Sequence, residues 1–410
     1  MRIFLAIAWR NLWRNYQRSL IMIAGIAVGL FGLLVYYGIS NGFIDEIVET
    51  SIELELAHLQ VNRQGYLKNP VPGNGFRADS VLVKKLAAVP GIKAASGRFK
   101  AAVLINSAEK SSRLELVGVN PEDESLVMKI PGLIVEGEYL KPGDNHRIVL
   151  GGELARLLGV GLGDKVVVMA QDRKNELQSV LFRVAGIFKS SAPIFDKAAA
   201  FVTLEAIQSL LDRRGEMTSV LLRAQKGADL NLLAQNIRQI IKDDPQDLEV
   251  KTWLEVSPIL SQSIDMFNKF IWIFYAIIYL AMAFGVINIM FMAVIDRTHE
   301  IGVMRALGTT RGKVMLVVLL EAAILGIAGL IVGGVSAGIL NNYLSTRGLD
   351  LSYWSSAMSF MGLSNVIHSN ITASQWTASF ISAEGAVIAA SIWPAWRASR
   401  LKPVEAIQFQ

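Results

Sequence analysis

No cysteine occurs among the 410 residues, so neither a disulfide framework nor a thiolate metal site can hold this chain together. Histidine is scarce as well. His58, His146, His299 and His368 fall in four separate segments, without the i, i+4 pairing of a metal centre, and none is assigned as a ligand. A G-x-x-x-x-G-K-[ST] loop is absent, which leaves the chain without the backbone cradle that holds ATP phosphates. There is no G-x-S-x-G elbow or other sign of a nucleophile, and no catalytic residue is assigned. Charge is thin: 18% of residues are charged, 52% are apolar, and the mean hydropathy is +0.40. That is too apolar for an ordinary soluble protein and too charged for one lying wholly in a membrane.

What the chain does have is long apolar runs. Crossing a bilayer as a helix takes about 20 apolar residues in a row, and four windows qualify: Leu20 to Ser40, Phe270 to Ile295, Val314 to Leu340 and Thr377 to Trp396. Spans are therefore expected over 19–41, 270–295, 314–340 and 377–396. Basic residues crowd the segments beside them. Residues 1–19 carry Arg2, Arg10, Arg14 and Arg18 with no acid, the 296–313 connector carries Arg297, Arg305, Arg311 and Lys313, and the 397–410 tail carries Arg397, Arg400 and Lys402. The 341–376 loop holds only Arg347. Short cytoplasmic segments keep the positive charge, so both termini and the connector are expected inside, with residues 42–269 and 341–376 outside. The outer domain carries 28 basic and 29 acidic residues, so the net charge of +5 belongs to the inner membrane face and calls for no nucleic acid.

Residues 1–18 have arginines on one side and Trp9 and Trp13 at interfacial depth, the pattern of a helix lying on the inner leaflet. Beyond the first span, helical spacing gives way to alternation at Leu54, Leu56, Leu59 and Val61, predicting a helix that leaves the membrane and feeds a strand. From residue 80 to 205, β-like runs such as AAVLIN, LELVGV, RIVLG, KVVVMA, SVLFRVAGIF and AAAFVTL alternate with helices near 80–88, 152–159 and 203–212. The expected fold is thus a polytopic α-helical membrane protein with four transmembrane helices and a large α+β extracytoplasmic domain, of two lobes, between the first and second. Gly25/Gly29, Gly329/Gly333 and Gly334/Gly338 are small-xxx-small pairs that permit close helix approach.

Two acids stand inside the spans, Glu321 and Glu384. An ionised group at the bilayer centre costs about 2.5–3.5 kcal/mol on insertion scales, so each needs a partner, and Asn288 and Ser382 are candidate donors. A proton pathway is the alternative reading. The connector, DRTHEIGVMRALGTTRGKV from Asp296, has helical character of its own. Asp296 or Thr298 can cap it, Ile301, Met304 and Leu307 recur on one ridge flanked by Glu300 and Arg305, and Gly308 can end it. A rigid amphipathic helix of this kind suits a groove on a partner protein.

The connector together with the third span, DRTHEIGVMRALGTTRGKVMLVVLLEAAILGIAGLIVGG, resembles the signature of FtsX/MacB-type ABC transporter permeases: an E-I-G-x-x-[RK]-A-x-G segment before the third span and an acid, here Glu321, early within it. The tail WPAWRASRLKPVEAI and the opening AWRNLWRNYQRSLIMIAGIAVG are similar to the same family, as is IVEGEYLKPGDNHRIVLGGELARLLGVGLGDKVVV to its periplasmic core domain. Within the family, SNGFIDEI after the first span looks most like the lipoprotein-releasing permeases.

The resemblance implies a multi-pass protein of the bacterial inner membrane, with its large domain in the periplasm, that works by mechanotransmission. The connector becomes a coupling helix seated on a cytoplasmic ABC ATPase, with Arg297, Glu300, Ile301, Met304, Arg305, Leu307 and Gly308 at the contact. The chain itself is non-catalytic and carries no cofactor, ATP and Mg being bound by that partner. A second permease, identical or paralogous, completes a dimer, and a periplasmic acceptor or chaperone receives the cargo. Phe31, Leu34, Tyr37, Phe267 and Phe270 are the expected lining of a cargo cavity open to membrane lipids. The alternatives are a regulator of a periplasmic cell-wall hydrolase or peptide response and, in a different class, a proton-coupled carrier using Glu321 and Glu384.

Overall fold

A computed structural model describes residues 10, 16–77, 80–242, 244–360, 364–402 and 406. The interfacial helix expected over 1–18 lies mostly outside the described residues; Tyr16, Gln17 and Arg18 open the first long helix. That helix is α1 (Tyr16–Ser51). It is succeeded by α2 (Pro258–Asp296), the short α3 (Thr298–Ala306), α4 (Arg311–Arg347) and α5 (Ala373–Ser399). α1, α2, α4 and α5 are long and apolar enough to cross a membrane. Each overshoots its apolar window, because a helix once nucleated propagates cheaply until something stops it. α4 runs to Arg347, where Gly348 at φ +75 ends it, and α5 starts early on a capping box in which Thr372 and Gln375 satisfy each other's backbone N–H groups.

The chain divides into two compact units. The first comprises Met1–Ile44, Asp265–Asp350 and Val366–Gln410. Its core draws Met22, Ile26, Leu30 and Leu34 from α1, Met282, Val286 and Met290 from α2, Ala322, Leu325 and Leu330 from α4, and Ala383 and Val387 from α5. Glycines set how near these helices come. A Cβ on Gly329 would lie 2.8 Å from Ile26 Cβ, and one on Gly333 2.5 Å from the Ala27 carbonyl oxygen, so α1 and α4 touch nearly backbone to backbone. Gly334 likewise leaves room for the Phe380 ring of α5. Gly25 and Gly29 behave otherwise: nothing lies within 4 Å of a Cβ on Gly25, and Gly29 makes only an ordinary contact with Met282. Among the described residues, no helix comes close at that pair.

A polar collar explains the Asn41-Gly42 pair. Asn41 Nδ2 donates to the Asn370 carbonyl and to Gln375 Oε1, both at 2.9 Å, and a Cβ on Gly42 would run into the His368 carbonyl oxygen. Ser369 donates to buried Asn341 at 2.7 Å beside Gly38. These contacts seat residues 368–370 against α1.

The second unit, Asp45–Ile264 with Leu351–Asn365, is built on a 10-stranded sheet. Its strands are β1 (Leu59–Arg63), β3 (Ile92–Asn106), β4 (Ser111–Val119), β5 (Ile134–Gly137), β6 (Arg147–Gly151), β7 (Lys165–Gln171), β8 (Leu177–Phe188), β9 (Ala199–Thr203), β11 (Ser219–Ala224) and β12 (Leu248–Thr252); β2 (Phe76–Arg77) and β10 (Glu216–Met217) form a separate ribbon. The order is β12-β1-β11-β3-β4-β9-β6-β8-β5, with β7 bridging β3 and β8. The six β-like runs of the sequence all fall on these strands, since alternating apolar residues need a sheet face to bury them. Helices Ser80–Ala87 and Leu230–Ile241 cover one end of the sheet through Leu86, Leu233 and Ile237. A second cluster around Phe99, Leu116, Phe182 and Ile207 fills the other end, and the long strand β3 serves both.

Candidate coupling site and membrane groove

The connector folds as the helix α3, and its ends show why it stands apart from its neighbours. After α2, Arg297 leaves helical geometry at φ −110, ψ 14. The cap expected from Asp296 or Thr298 is not formed. The Thr298 hydroxyl instead donates back to the Ile295 carbonyl at 2.7 Å and to that of Val294 at 3.2 Å, closing α2, while Asp296 pairs with Arg18 of α1. At the other end Gly308, at φ +92, completes a Schellman motif: its N–H meets the Arg305 carbonyl at 3.2 Å and that of Thr309 meets Met304 at 3.0 Å.

The expected outward ridge is turned inward. Ile301 is 3% exposed and packs with Val294, Val314 and Val318, and Met304 is packed against the same cluster. Leu307, beyond the last turn, is 82% exposed. The face left open carries His299, Val303, Ala306 and Leu307, an i, i+4, i+7, i+8 set. Burial of Ile301 has a plain cause: in a helix this short only one face can reach the spans, and Ile301 and Met304, three residues apart, both stand on it.

Arg297 decides what Glu321 is doing. Its Nη1 lies 2.8 Å from both carboxylate oxygens of Glu321, 24 residues later on α4, and its Nε reaches Glu300 at 3.3 Å. Arg297 and Glu321 side chains are 11% and 7% exposed, so the pair is buried. The donors expected from sequence stand elsewhere: Asn288 is exposed, and Ser382 shares a 2.6 Å hydrogen bond with Tyr279. Glu384 is separate from this pair, its oxygens packed beside Gly326 and without a hydrogen-bond partner among the described residues. Arg305 folds back, with Nη1 3.4 Å from the Thr309 carbonyl.

A second feature lies between α1 and α2. An apolar groove of about 350 Å³ is lined by Met22, Gly25, Gly29, Ile278, Met282 and Gly285. None of the five residues expected as cavity lining is part of it. Leu34 is fully buried in the helix core, Phe31 packs against that core, Tyr37 stacks on Tyr275 at 5.4 Å, Phe267 is half-buried and Phe270 is exposed. The Gly25/Gly29 pair, expected at a helix contact, is what opens the groove.

Residues 19–240 match the family described as MacB-like periplasmic core domain, and residues 272–403 match the FtsX-like permease C-terminal family. The chain belongs to the FtsX/MacB-type ABC transporter permeases. Among curated relatives, the lipoprotein-releasing system transmembrane protein LolC of Xylella fastidiosa is 26% identical over 96% of this chain and 94% of its own length. LolE of Haemophilus influenzae is 22% identical over 98% of both. The macrolide export ATP-binding/permease protein MacB of Chlorobium luteolum is 23% identical over 99% of this chain but only 60% of its own length. Among the described residues, no group of His, Cys, Asp and Glu is placed to hold a metal ion.

Proposed function

We propose that this permease is the non-catalytic membrane subunit of a mechanotransmission transporter, with a separate ATPase binding ATP and Mg, and that it moves a lipoprotein or similarly amphipathic cargo out of the bacterial inner membrane. Both termini and α3 lie in the cytoplasm in this reading, as the arginine distribution supports, and a second permease completes the assembly. The observation that carries it is the tethering of α3. A helix gripped by a buried Arg297–Glu321 pair and by Ile301 cannot move without α4, whereas Val303, Ala306 and Leu307 stand exposed on its other face, where an ATPase would push. The ATPase contact therefore shifts from the inward ridge to His299, Val303, Ala306 and Leu307.

Leu307→Asp tests this. The side chain touches little of its own protein, so stability should move by no more than about 0.5 kcal/mol. Co-purification of the ATPase with the permease is expected to fall at least tenfold. Retention of the ATPase at parental stoichiometry would remove the proposal.

The groove between α1 and α2 supports an acyl cargo, being apolar, open and sized for a chain of carbons. Gly25→Phe puts a ring into that groove from a position whose added Cβ has nothing within 4 Å. It is expected to leave ATP turnover intact while cutting release of a lipidated protein from proteoliposomes at least tenfold. Equal release from the parent and the variant would mean that the groove carries no cargo. The carrier alternative gains no support from Glu321, whose charge is already matched by Arg297.

A further inference from the structure

The first long helix does not end in a flexible loop. At Ser51 it widens into a π-helical turn, Ile52–Leu56, and the chain then turns at Ala57, φ +52, into β1. Such turns are rare and concentrate where a helix has a job beyond packing. This one presents two carboxylates, Glu53 and Glu55, and cations close on them from both sides. Lys100 of β3 reaches Glu55 at 3.3 Å and Glu115 of β4 at 2.9 Å. Arg98, also on β3, donates Nη1 to the Glu55 carbonyl at 3.1 Å, while the rest of its guanidinium grips Glu124, whose second oxygen accepts from Ser96 at 2.8 Å. Across the turn, Glu53 pairs with Lys129 and lies 3.7 Å from Arg223 of β11. The Lys129 N–H donates to the Glu53 carbonyl at 3.1 Å, and Arg223 donates to the Val127 carbonyl at 2.9 Å.

The Arg98 and Glu124 side chains are 1% and 0% exposed. Charges buried that deeply add little net stability compared with apolar residues of the same shape; what they demand is fixed geometry. Lys100 makes the same point, because burial works against its charge and yet Glu55 and Glu115 hold its pKa above the ordinary lysine range. A hinge would need the opposite: few contacts, exposed backbone and a glycine. None of residues 51–58 is a glycine.

We propose that the Ile52–Leu56 turn is a locked joint, in which Arg98, Lys100, Lys129 and Arg223 act as positioning residues that make the end of the first helix and the sheet move as one body. This rests on the transmission reading above and extends it, since a stroke entering α1 would otherwise be lost at the helix end.

The absence of cysteine allows a direct test. Glu49→Cys and Lys93→Cys, both at exposed positions, take nitroxide labels in the full-length protein in nanodiscs, and pulsed electron resonance reads the width of their distance distribution. The parent is expected to give a narrow distribution. Lys100→Gln with Lys129→Gln should at least double its width, and Lys100→Arg with Lys129→Arg should restore it, which separates charge from fold. Should the double glutamine variant not fold, Lys129→Gln alone, at a side chain 54% exposed, gives the reading. A width unchanged by loss of these charges overturns the joint. In the ATPase complex the glutamine variant should keep ATP turnover within twofold while losing at least tenfold in lipoprotein release; a parallel fall in both overturns the positioning role. If the parent complex neither binds an ATPase nor releases cargo, the transmission reading fails, and the distance widths alone decide the joint.

Discussion

Replacing Arg297 by alanine is expected to destabilise the membrane unit by about 3–5 kcal/mol, the usual consequence of stripping one partner from a buried ion pair. The size of the effect comes from the acid that stays behind. Glu321 would keep a side chain 7% exposed among Val317, Val318 and Met290 while losing the guanidinium that meets both its oxygens. Exposed pairs make the contrast: Arg156 and Glu153, at 80% and 37% exposure, should yield less than about 1 kcal/mol when broken. Denaturant titration in detergent micelles reads both. The double variant Arg297→Met, Glu321→Leu separates stability from tethering, because two apolar residues of similar volume restore most of the lost stability. It should nevertheless fail to recover coupling of ATP turnover to transport, since the charged link between α3 and α4 is gone. Full recovery of coupling by that double variant would show the pair to be structural filling only.

The second large effect is at Gly333. A Cβ there would sit 2.5 Å from the Ala27 carbonyl oxygen, and the obstacle is backbone, which has no rotamer to yield. Gly333→Leu must therefore drive α1 and α4 apart, at a cost in the upper part of the roughly 1–3 kcal/mol range for overpacking. A lowered unfolding free energy and increased proteolysis of α1 in membranes are the expected readouts. Gly29→Ala is the control, its new methyl 3.4 Å from the Met282 sulfur, and should be tolerated. Similar losses at the two glycines would refute the reading of which helices touch.

Much of this was legible in the chain because the signals are local. A run of about 20 apolar residues needs a bilayer wherever it occurs, an alternating run needs a sheet, and Gly308 can adopt φ +92 regardless of its neighbours. Hence the spans, the strands and the end of α3 could be read one segment at a time. The site was legible only in part. Ile301, Met304 and Leu307 share a ridge by spacing, but spacing cannot tell an inward ridge from an outward one when both sides of a short helix carry apolar residues. Glycine pairs are equally ambiguous: Gly329/Gly333 brings helices together, while Gly25/Gly29 opens a groove.

By itself, then, the sequence determined that this is a four-span permease with a large α+β domain between the first and second spans and a stiff connector, since hydropathy, alternation and a left-handed glycine act within a few residues. Only the tertiary structure decided that Arg297 neutralises Glu321, that α3 offers Val303 and Leu307 rather than Ile301, and that four cations clamp the turn after α1. Those are contacts between residues 24 to about 170 positions apart, and an ion pair's partner is chosen by which helices and strands pack together, a quantity no local pattern encodes.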